Sequence, residues 1–377
     1  MPHVSSAREF RISLVMIVRD EERCLGRCLA SVTDLVDEIV VVDTGSADRT
    51  VQIAESYGAR VARFEWVDDF AAARNFSLEQ ASHPWRLILD ADEWVADRET
   101  ARAVLDTLGS TPPRSVGIVT VLQMDETTGE LEHGTRLPVP RVLPPYVRFE
   151  GIVHEQPVPS TRTFALDLTL GHDGYTSPAS ARKTGRNLAL LEAALEHDPA
   201  NPYLWFQLGN DHLTHGRLED ALPALVRSYN LLRDETGAPT MPERRTWEHL
   251  LVVRLLQTLT LLRRFEEAVA VGEQECRLWP DSSDFFYVFG DAVRLAALVA
   301  GTVDPARADR LTRATIDCWS HALEQGDLPH YGGALTERAT TLAAEGLGEL
   351  YARLARPGDA ATYAAIAAAR RADAVPA

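Results

Sequence analysis

The texture of this chain changes once, near residue 180, and that change restricts the folds open to it. Ahead of it, apolar runs of strand length alternate with helical patterns. Ile12–Val18 reads as a buried strand, Glu22–Val32 as a helix with Leu25, Cys28, Leu29 and Val32 on one face, and Glu38–Asp43 as a second strand. Thr44-Gly45-Ser46 turns the chain into a helix over Asp48–Tyr57, which Gly58 stops. Arg60–Phe64 is a third strand, Phe70–Ala81 a helix and Trp85–Leu89 a fourth strand. Near-continuous apolar strands separated by helices predict an α/β domain, a doubly wound and mainly parallel sheet covered on both faces. Ligands of such sheets sit beyond the carboxyl ends of the strands, so polar residues there need a reason.

Behind residue 180 the strand signal ends, and Ala and Leu at helical spacing run to the C-terminus. A repeat emerges on alignment. Trp205, Leu208, Gly209, His212, Gly216, Ala221 and Leu225 form one copy; Leu255, Leu256, Leu259, Phe265, Ala268 and Pro280 a second; Phe286, Phe289, Gly290 and Val293 begin a third. Gly290 follows Leu256 by 34 residues, the tetratricopeptide period. The longer step from Gly209 to Leu256 is taken up by a polar loop, Asp234–Glu243. An all-α domain resembling degenerate tetratricopeptide repeats is expected over about 185–325, with a generic helical bundle as the alternative. Two domains follow, 1–178 and 179–377, and a length of 377 residues exceeds what one core usually supports.

Charge narrows the partners. With 38 Lys+Arg against 55 Asp+Glu the net charge is -17, which argues against nucleic acid or an anionic membrane as the main partner. It leaves room for a phosphate held locally by one Arg and backbone amides. Four cysteines are too few for a disulfide framework, and Cys24 and Cys28 read as ordinary thiols sharing a helix face rather than a metal pair. The longest early apolar run, Ile12–Val18, has seven residues and no cleavage site behind it, too short for a membrane span, so a cytoplasmic protein is expected.

The polar residues at the strand ends carry the chemistry. Leu87-Ile88-Leu89 runs straight into Asp90-Ala91-Asp92-Glu93, and in extended chain the carboxylates of Asp90 and Asp92 point to one side. Such a pair repels unless a cation or donor lies between, and oxygen ligands suit Mg²⁺ or Mn²⁺. The structural alternative is a helix cap plus a solvated acid. Asp43 also ends a strand, ahead of a Gly-containing turn; it is placed to accept a hydrogen bond from a base or ribose, or else only to form the turn. Asp68-Asp69 precede a helix that carries Arg74, which could fork onto phosphate oxygens or pair with those acids.

Taken together, Met16–Glu22, Val36–Ser46, Asp68–Asn75 and Leu89–Glu93 closely resemble the family 2 glycosyltransferases in order and spacing. The resemblance extends through Arg141, Phe149–Glu155, Gly171–Tyr175 and Arg186-Asn187, covers about 10–235, and is similar to a subgroup that joins such a domain to tetratricopeptide helices. That subgroup includes S-glycosyltransferases of bacteriocin peptides. Arg19-Asp20 stands where the subgroup commonly has Lys-Asn. The resemblance implies a GT-A fold, a nucleotide-sugar donor, a divalent cation and inversion at the anomeric carbon. Carried over by residue, Asp43 would contact the nucleobase, with Ile17, Arg19 and Glu21 beside it, and Asp69 and Arg74 would line the nucleotide pocket. Asp90 and Ala91 would face the ribose or metal, and Asp92 would bind the metal.

Inversion needs a base on the acceptor side, and Glu155, His154, His172 and Asp173 are the candidates. Glu155 is the expected base and His154 a metal or phosphate ligand; the structural alternatives are an ion-pair partner and an internal hydrogen-bond donor. The expected reaction transfers sugar from a nucleoside diphosphate, UDP by preference, to Cys, Ser or Thr of a peptide or protein. A cell-surface glycan or small secondary metabolite is the alternative acceptor, and a non-catalytic repeat scaffold the alternative outside enzymes. A nucleotidyltransferase would want a Gly-rich basic loop after the first strand and a dinucleotide enzyme G-x-G-x-x-G; Arg19-Asp20-Glu21-Glu22 is neither. Trp247, Trp279, Phe285, Phe286 and Trp319 raise the expectation of a homodimer through the helical half, repeat core being the other use for them.

Overall fold

The computed structural model describes residues 9–125, 128–158, 162–173, 179–234, 236–240, 246–326 and 338–373. The chain divides into two compact units, Met1–Glu132 with Arg136–Leu190, and His133–Thr135 with Leu191–Ala377. The boundary expected at 178/179 falls on residues 174–178, outside the described residues.

In the first unit the elements run β1 (Ile12–Val18), α1 (Leu25–Val32), β2 (Glu38–Asp43), α2 (Thr50–Ser56), β3 (Arg60–Arg63), α3 (Phe70–Gln80), β4 (Trp85–Ile88), β5 (Glu93–Val95), α4 (Arg98–Gly109), β6 (Val116–Met124), β7 (Leu131–Leu143), β8 (Arg148–Glu150), β9 (Gln156–Val158), β10 (Thr163–His172) and α5 (Ala179–His197). Eight strands form one sheet in the order β3-β2-β1-β4-β7-β6-β10-β5, and β8 pairs with β9 separately. The β3-β2-β1-β4 half is parallel throughout. The other half is mixed: β7 runs antiparallel to both neighbours, β10 is parallel to β6, and β5 closes the edge antiparallel to β10.

Alternate residues of β1 serve opposite faces. Leu14 and Met16 join Leu25, Leu29 and Leu105 in one core, while Val15 joins Val40, Ile88 and Leu78 in another. Both faces are therefore covered, and each fully buried side chain of this kind contributes roughly 1.5–3 kcal/mol. At the amino-terminal edge Glu38 ties the strands together. It accepts from Ser13 Oγ at 2.5 Å, Ser82 N at 2.8 Å, Ser82 Oγ at 2.9 Å and Arg60 Nη2 at 3.1 Å. Partial burial opposes its charge, but these donors, Ser13 first, pull its carboxyl down to about 2.

The second unit is helical: α6 (Pro202–Thr214), α7 (Leu218–Leu231), α8 (Thr246–Leu261), α9 (Phe265–Glu275), α10 (Ser283–Ala300), α11 (Pro305–Gln325), α12 (Ala339–Arg353) and α13 (Pro357–Asp373). The repeat residues fall on successive helix pairs, and α12 with α13 adds a pair that the repeat alignment, ending near 325, does not reach. Gly209 and Gly290 have a packing reason. A Cβ on Gly209 would stand 2.6 Å from Leu225, and one on Gly290 2.6 Å from Trp319, so these helices approach at glycine distance. The aromatic residues behind the homodimer expectation are used internally. Trp279, Phe285 and Trp319 are buried, and Trp247 and Phe286 pack against the same core, so they give a dimer no support. Among the described residues no helix is long and apolar enough to cross a membrane.

Candidate active site

The loops leaving β1 and β2 are laced together. Thr44 donates to the Val18 carbonyl through its amide at 3.0 Å and its hydroxyl at 3.1 Å. The Asp20 amide donates to Ser46 Oγ at 3.0 Å, and the Ala47 amide donates back to Asp20 Oδ1 at 2.7 Å. Asp20 adopts φ +54°, in the left-handed region that non-glycine residues rarely enter. This exchange holds Arg19 and Glu21 beside a cavity of about 680 Å³ at the carboxyl edge of β1 and β4. His154, at φ +52°, lies on the far side of it. Strain of this kind recurs at ligand sites.

Beyond β4 the chain makes its acid turn. Glu93 folds back so that the Asp90 amide donates to Glu93 Oε2 at 3.0 Å, while the Glu93 amide donates to the Asp90 carbonyl at 3.0 Å. Two arginines close around it. Arg74, from α3, reaches Asp90 Oδ1 at 3.2 Å and Glu155 Oε1 at 3.2 Å. Arg141 arrives by register: β7 sets Val142 opposite Leu87, which brings its neighbour to the strand end, where Nη2 meets Asp90 Oδ2 at 2.7 Å and Glu93 Oε1. Desolvation disfavours the charge on Asp90, but Arg141 and Arg74 outweigh it and hold that carboxyl well below its ordinary range. Burial pushes the Glu93 carboxyl up against the pull of Arg141, with Asp90 adding to the rise.

Asp92 is left with a different neighbour. The antiparallel pairing of β10 with β5 sets His172 opposite Glu93, and His172 Nε2 comes to 3.6 Å from Asp92 Oδ2. The other ring nitrogen meets Gln123 Oε1 at 2.8 Å. Burial works against a charged imidazole, but the bond to Asp92 and the surrounding carboxylates raise its pKa. Next to it the Asp173 amide donates to the Asp92 carbonyl at 3.2 Å, and the Asp173 carboxylate is gripped by Arg23 at 3.1 Å and by Arg27, which lies over the Trp94 ring.

Of the residues expected at the site, Ile17, Arg19, Glu21, Arg74, Asp90, Ala91, Asp92, His154 and Glu155 line this one cavity. Asp43 and Asp69 do not. The Asp43 carboxylate accepts from the amides of Gly45 at 3.3 Å and Ser46 at 3.1 Å, and Asp69 caps α3 by accepting from the Ala72 amide at 2.9 Å. Arg74 pairs with Asp90 and Glu155 rather than with Asp68 or Asp69. Its Nη1 is buried without a hydrogen-bond partner and Arg74 itself lines the cavity. Asp173, a candidate base, is not on the cavity wall. His172, a candidate base, is on the wall, as are Thr44, Trp66, Phe70, Arg186 and Asn187, with Arg141 behind it.

Among the described residues no three His, Cys, Asp or Glu side chains stand together as a metal cage, and both Asp90 oxygens are taken by guanidiniums. The donor set fits an open site of another kind. Mg²⁺ and Mn²⁺ commonly bind one or two carboxylates and complete their shell with water and substrate phosphate. Asp92, on the cavity wall, is a carboxylate that such a site could use.

Comparison with known proteins follows the same line. Residues 13–167 match the family described as glycosyl transferase family 2. A TPR repeat-containing protein of Synechococcus elongatus is 36% identical over 226 residues, 56% of this chain and 54% of that protein. The prophage-derived glycosyltransferase SunS of Bacillus subtilis is 30% identical over 227 residues, 58% of this chain and 53% of that protein. The chain spans about half the length of the curated relatives it matches. A structure of MamA from Desulfovibrio magneticus is similar at a TM-score of 0.37 and 14% identity, covering 52% of this chain and 89% of that one, and at that level adds no argument. Residues 13–167, within the sheet-bearing part of the chain, thus match the glycosyl transferase family 2 model, and helices follow them.

Proposed function

We propose that the protein is an inverting, metal-dependent glycosyltransferase that moves a sugar from a nucleoside diphosphate, UDP by preference, to a Cys, Ser or Thr side chain of a peptide or protein. The catalytic domain in this reading is residues 1–178, and the helical remainder, 179–377, presents the acceptor. One observation carries the proposal: a single cavity at the carboxyl edge of β1 and β4 is lined by both the acid turn, Asp90-Ala91-Asp92, and the Arg74 side chain.

Roles follow from the geometry. Ile17, Glu21 and Thr44 form the wall against which the nucleoside lies, and Arg19 lines the same cavity toward the phosphates. Asp43 and Asp69 act behind it, one by fixing the turn that carries Thr44, the other by fixing the helix that carries Arg74. Arg74, held by Asp90 and Glu155, meets the leaving diphosphate. Asp92, with His172 beside it and His154 across the cavity, would hold Mg²⁺ or Mn²⁺, which supplies neutralisation of the charge that builds on the leaving diphosphate. As the acceptor heteroatom bonds to the anomeric carbon, the bond to the diphosphate oxygen breaks and the acceptor proton passes to Glu155, which Arg74 holds through Oε1. A thiol acceptor, with its lower pKa, asks less of that base.

The test is turnover of a panel of nucleotide sugars with Mn²⁺, followed by mass spectrometry of candidate acceptor peptides. Turnover of one donor, lost in EDTA, is the expected result. Full activity without metal removes the role given to Asp92, and an inert protein that binds no nucleotide removes the enzyme reading in favour of a scaffold.

A further inference from the structure

Two arginines of the cavity wall are left over once the ion pairs of the site are assigned. Arg19 follows β1 and Arg186 comes from α5, and both line the cavity. The Arg186 guanidinium lies over the ring of Phe70, 4.9 Å from its centroid, and Phe70 meets Trp66 edge to face at 4.8 Å. A 3.5 Å hydrogen bond links Arg186 Nη2 to its neighbour Asn187. Neither Arg19 nor Arg186 has a carboxylate within ion-pair distance among the described residues.

The two guanidiniums act on each other instead. Burial and then the charge of Arg19 lower the pKa of Arg186, and Glu21 opposes them. Asp20, Glu21, Asp90, Asp92 and Glu155 line the same cavity, yet neither arginine stands in an ion pair with one of them. Like charges held together become favourable once an anion enters between them, and a planar guanidinium matches two phosphate oxygens at once. Arg74 lines the same cavity. The aromatic ring under Arg186 fixes the plane of its fork without using its donors.

We infer that Arg19 and Arg186 form the seat of the donor's diphosphate, with Arg186 braced on Phe70. The inference rests on the reading of this cavity as a nucleotide-sugar site. It makes Arg186 a binding residue of that site, contributed from outside the segment matched to the family, which ends at residue 167.

Calorimetry on the full chain with Mn²⁺ tests it. UDP, GDP and ADP are titrated into the wild type, and the tightest is compared with its nucleoside monophosphate, its nucleoside and inorganic pyrophosphate on Arg19→Ala, Arg186→Ala and Arg186→Lys. Each alanine variant should weaken the nucleoside diphosphate and pyrophosphate about tenfold or more, a loss typical of one charge-assisted contact, and leave the nucleoside within about twofold. Lysine at 186 should recover part of the loss, and the difference should shrink with added salt. Equal weakening of nucleoside and diphosphate, or a fall in melting temperature with no selective loss, means that Arg186 only packs on Phe70 and overturns the inference. A wild type that binds none of the three diphosphates overturns the nucleotide-sugar reading itself, and the seat with it.

Discussion

Each unit buries an arginine–carboxylate network, and the two are finished differently. In the helical unit Glu275 receives Arg233 Nε at 2.8 Å and Tyr229 Oη at 2.9 Å on one oxygen, Arg233 Nη2 at 2.7 Å and Trp279 Nε1 at 2.9 Å on the other. The last guanidinium nitrogen, Nη1, donates to the Leu232 carbonyl at 3.1 Å, so every guanidinium nitrogen of Arg233 has a partner. In the sheet unit Arg74 and Arg141 serve Asp90, Glu93 and Glu155, yet Arg74 Nη1 and Arg141 Nε remain buried without partners. Buried polar groups are almost always satisfied, because an unsatisfied one forfeits its hydration. A closed network is what fold stability alone would produce. The network of the sheet unit, part of which lines the cavity, is not closed in this way.

The comparison can be broken in four ways. The largest effect belongs to the closed network. Glu275→Ala strands a buried guanidinium, which typically costs about 3–5 kcal/mol, so the helical unit should melt roughly 10 °C lower in a thermal scan. Replacing the pair together, Arg233→Met with Glu275→Leu, should recover most of that loss, because two stranded groups are exchanged for packing. If the double variant melts as low as the single, satisfaction is not what the network provides.

Asp92→Ala comes next. In the proposed function Asp92 holds the cation, so its loss should lower kcat by about a hundred- to a thousandfold with the melting temperature unchanged, measured as donor hydrolysis with Mn²⁺. Arg74→Ala should raise the donor KM about tenfold, since one charge-assisted contact is lost. Should it instead destabilise the fold and leave donor affinity untouched, the open network is merely an imperfect closed one.

The smallest effect is on acid stability. Glu38, with its carboxyl pulled to about 2 in the folded chain, contributes stability that is full above the unfolded carboxyl pKa near 4.5 and fades as pH falls toward 2. Glu38→Gln should therefore flatten melting temperature against pH in that window and leave donor affinity at pH 7 alone, because Glu38 lies at the opposite edge of the sheet from the cavity.

How much of this was legible depended on whether a contact is local. β1 to β4 and the helices between them stand within a few residues of where the sequence puts them, since strands buried on both faces are continuously apolar. The mixed half of the sheet was not read. β7 carries Pro138 and Pro140 among its residues, and β10 alternates between half-exposed and exposed positions over its first half. In the site, Asp90-Ala91-Asp92 announces itself because the acids are adjacent. Arg141 does not, because it meets Asp90 across 51 residues of chain, and only the pairing of β7 with β4 brings it there. His172 was weighed as a base; the pairing of β10 with β5 sets it beside Asp92. The fourth helix pair is not legible as a repeat because nearly half of α13 is alanine, which signals helix without marking a repeat.

The acid turn has one more consequence. Glu93 bonds both ways to Asp90, Arg141 binds the two side chains from β7, and the Asp173 amide holds the Asp92 carbonyl. The chain itself thus fixes the direction in which the Asp92 carboxylate faces. A cation and a donor meeting such a turn lose little to ordering it, so their binding energy goes into the contact and not into shaping the loop. The entropy of that loop is surrendered once, when the sheet folds, and not again at each turnover.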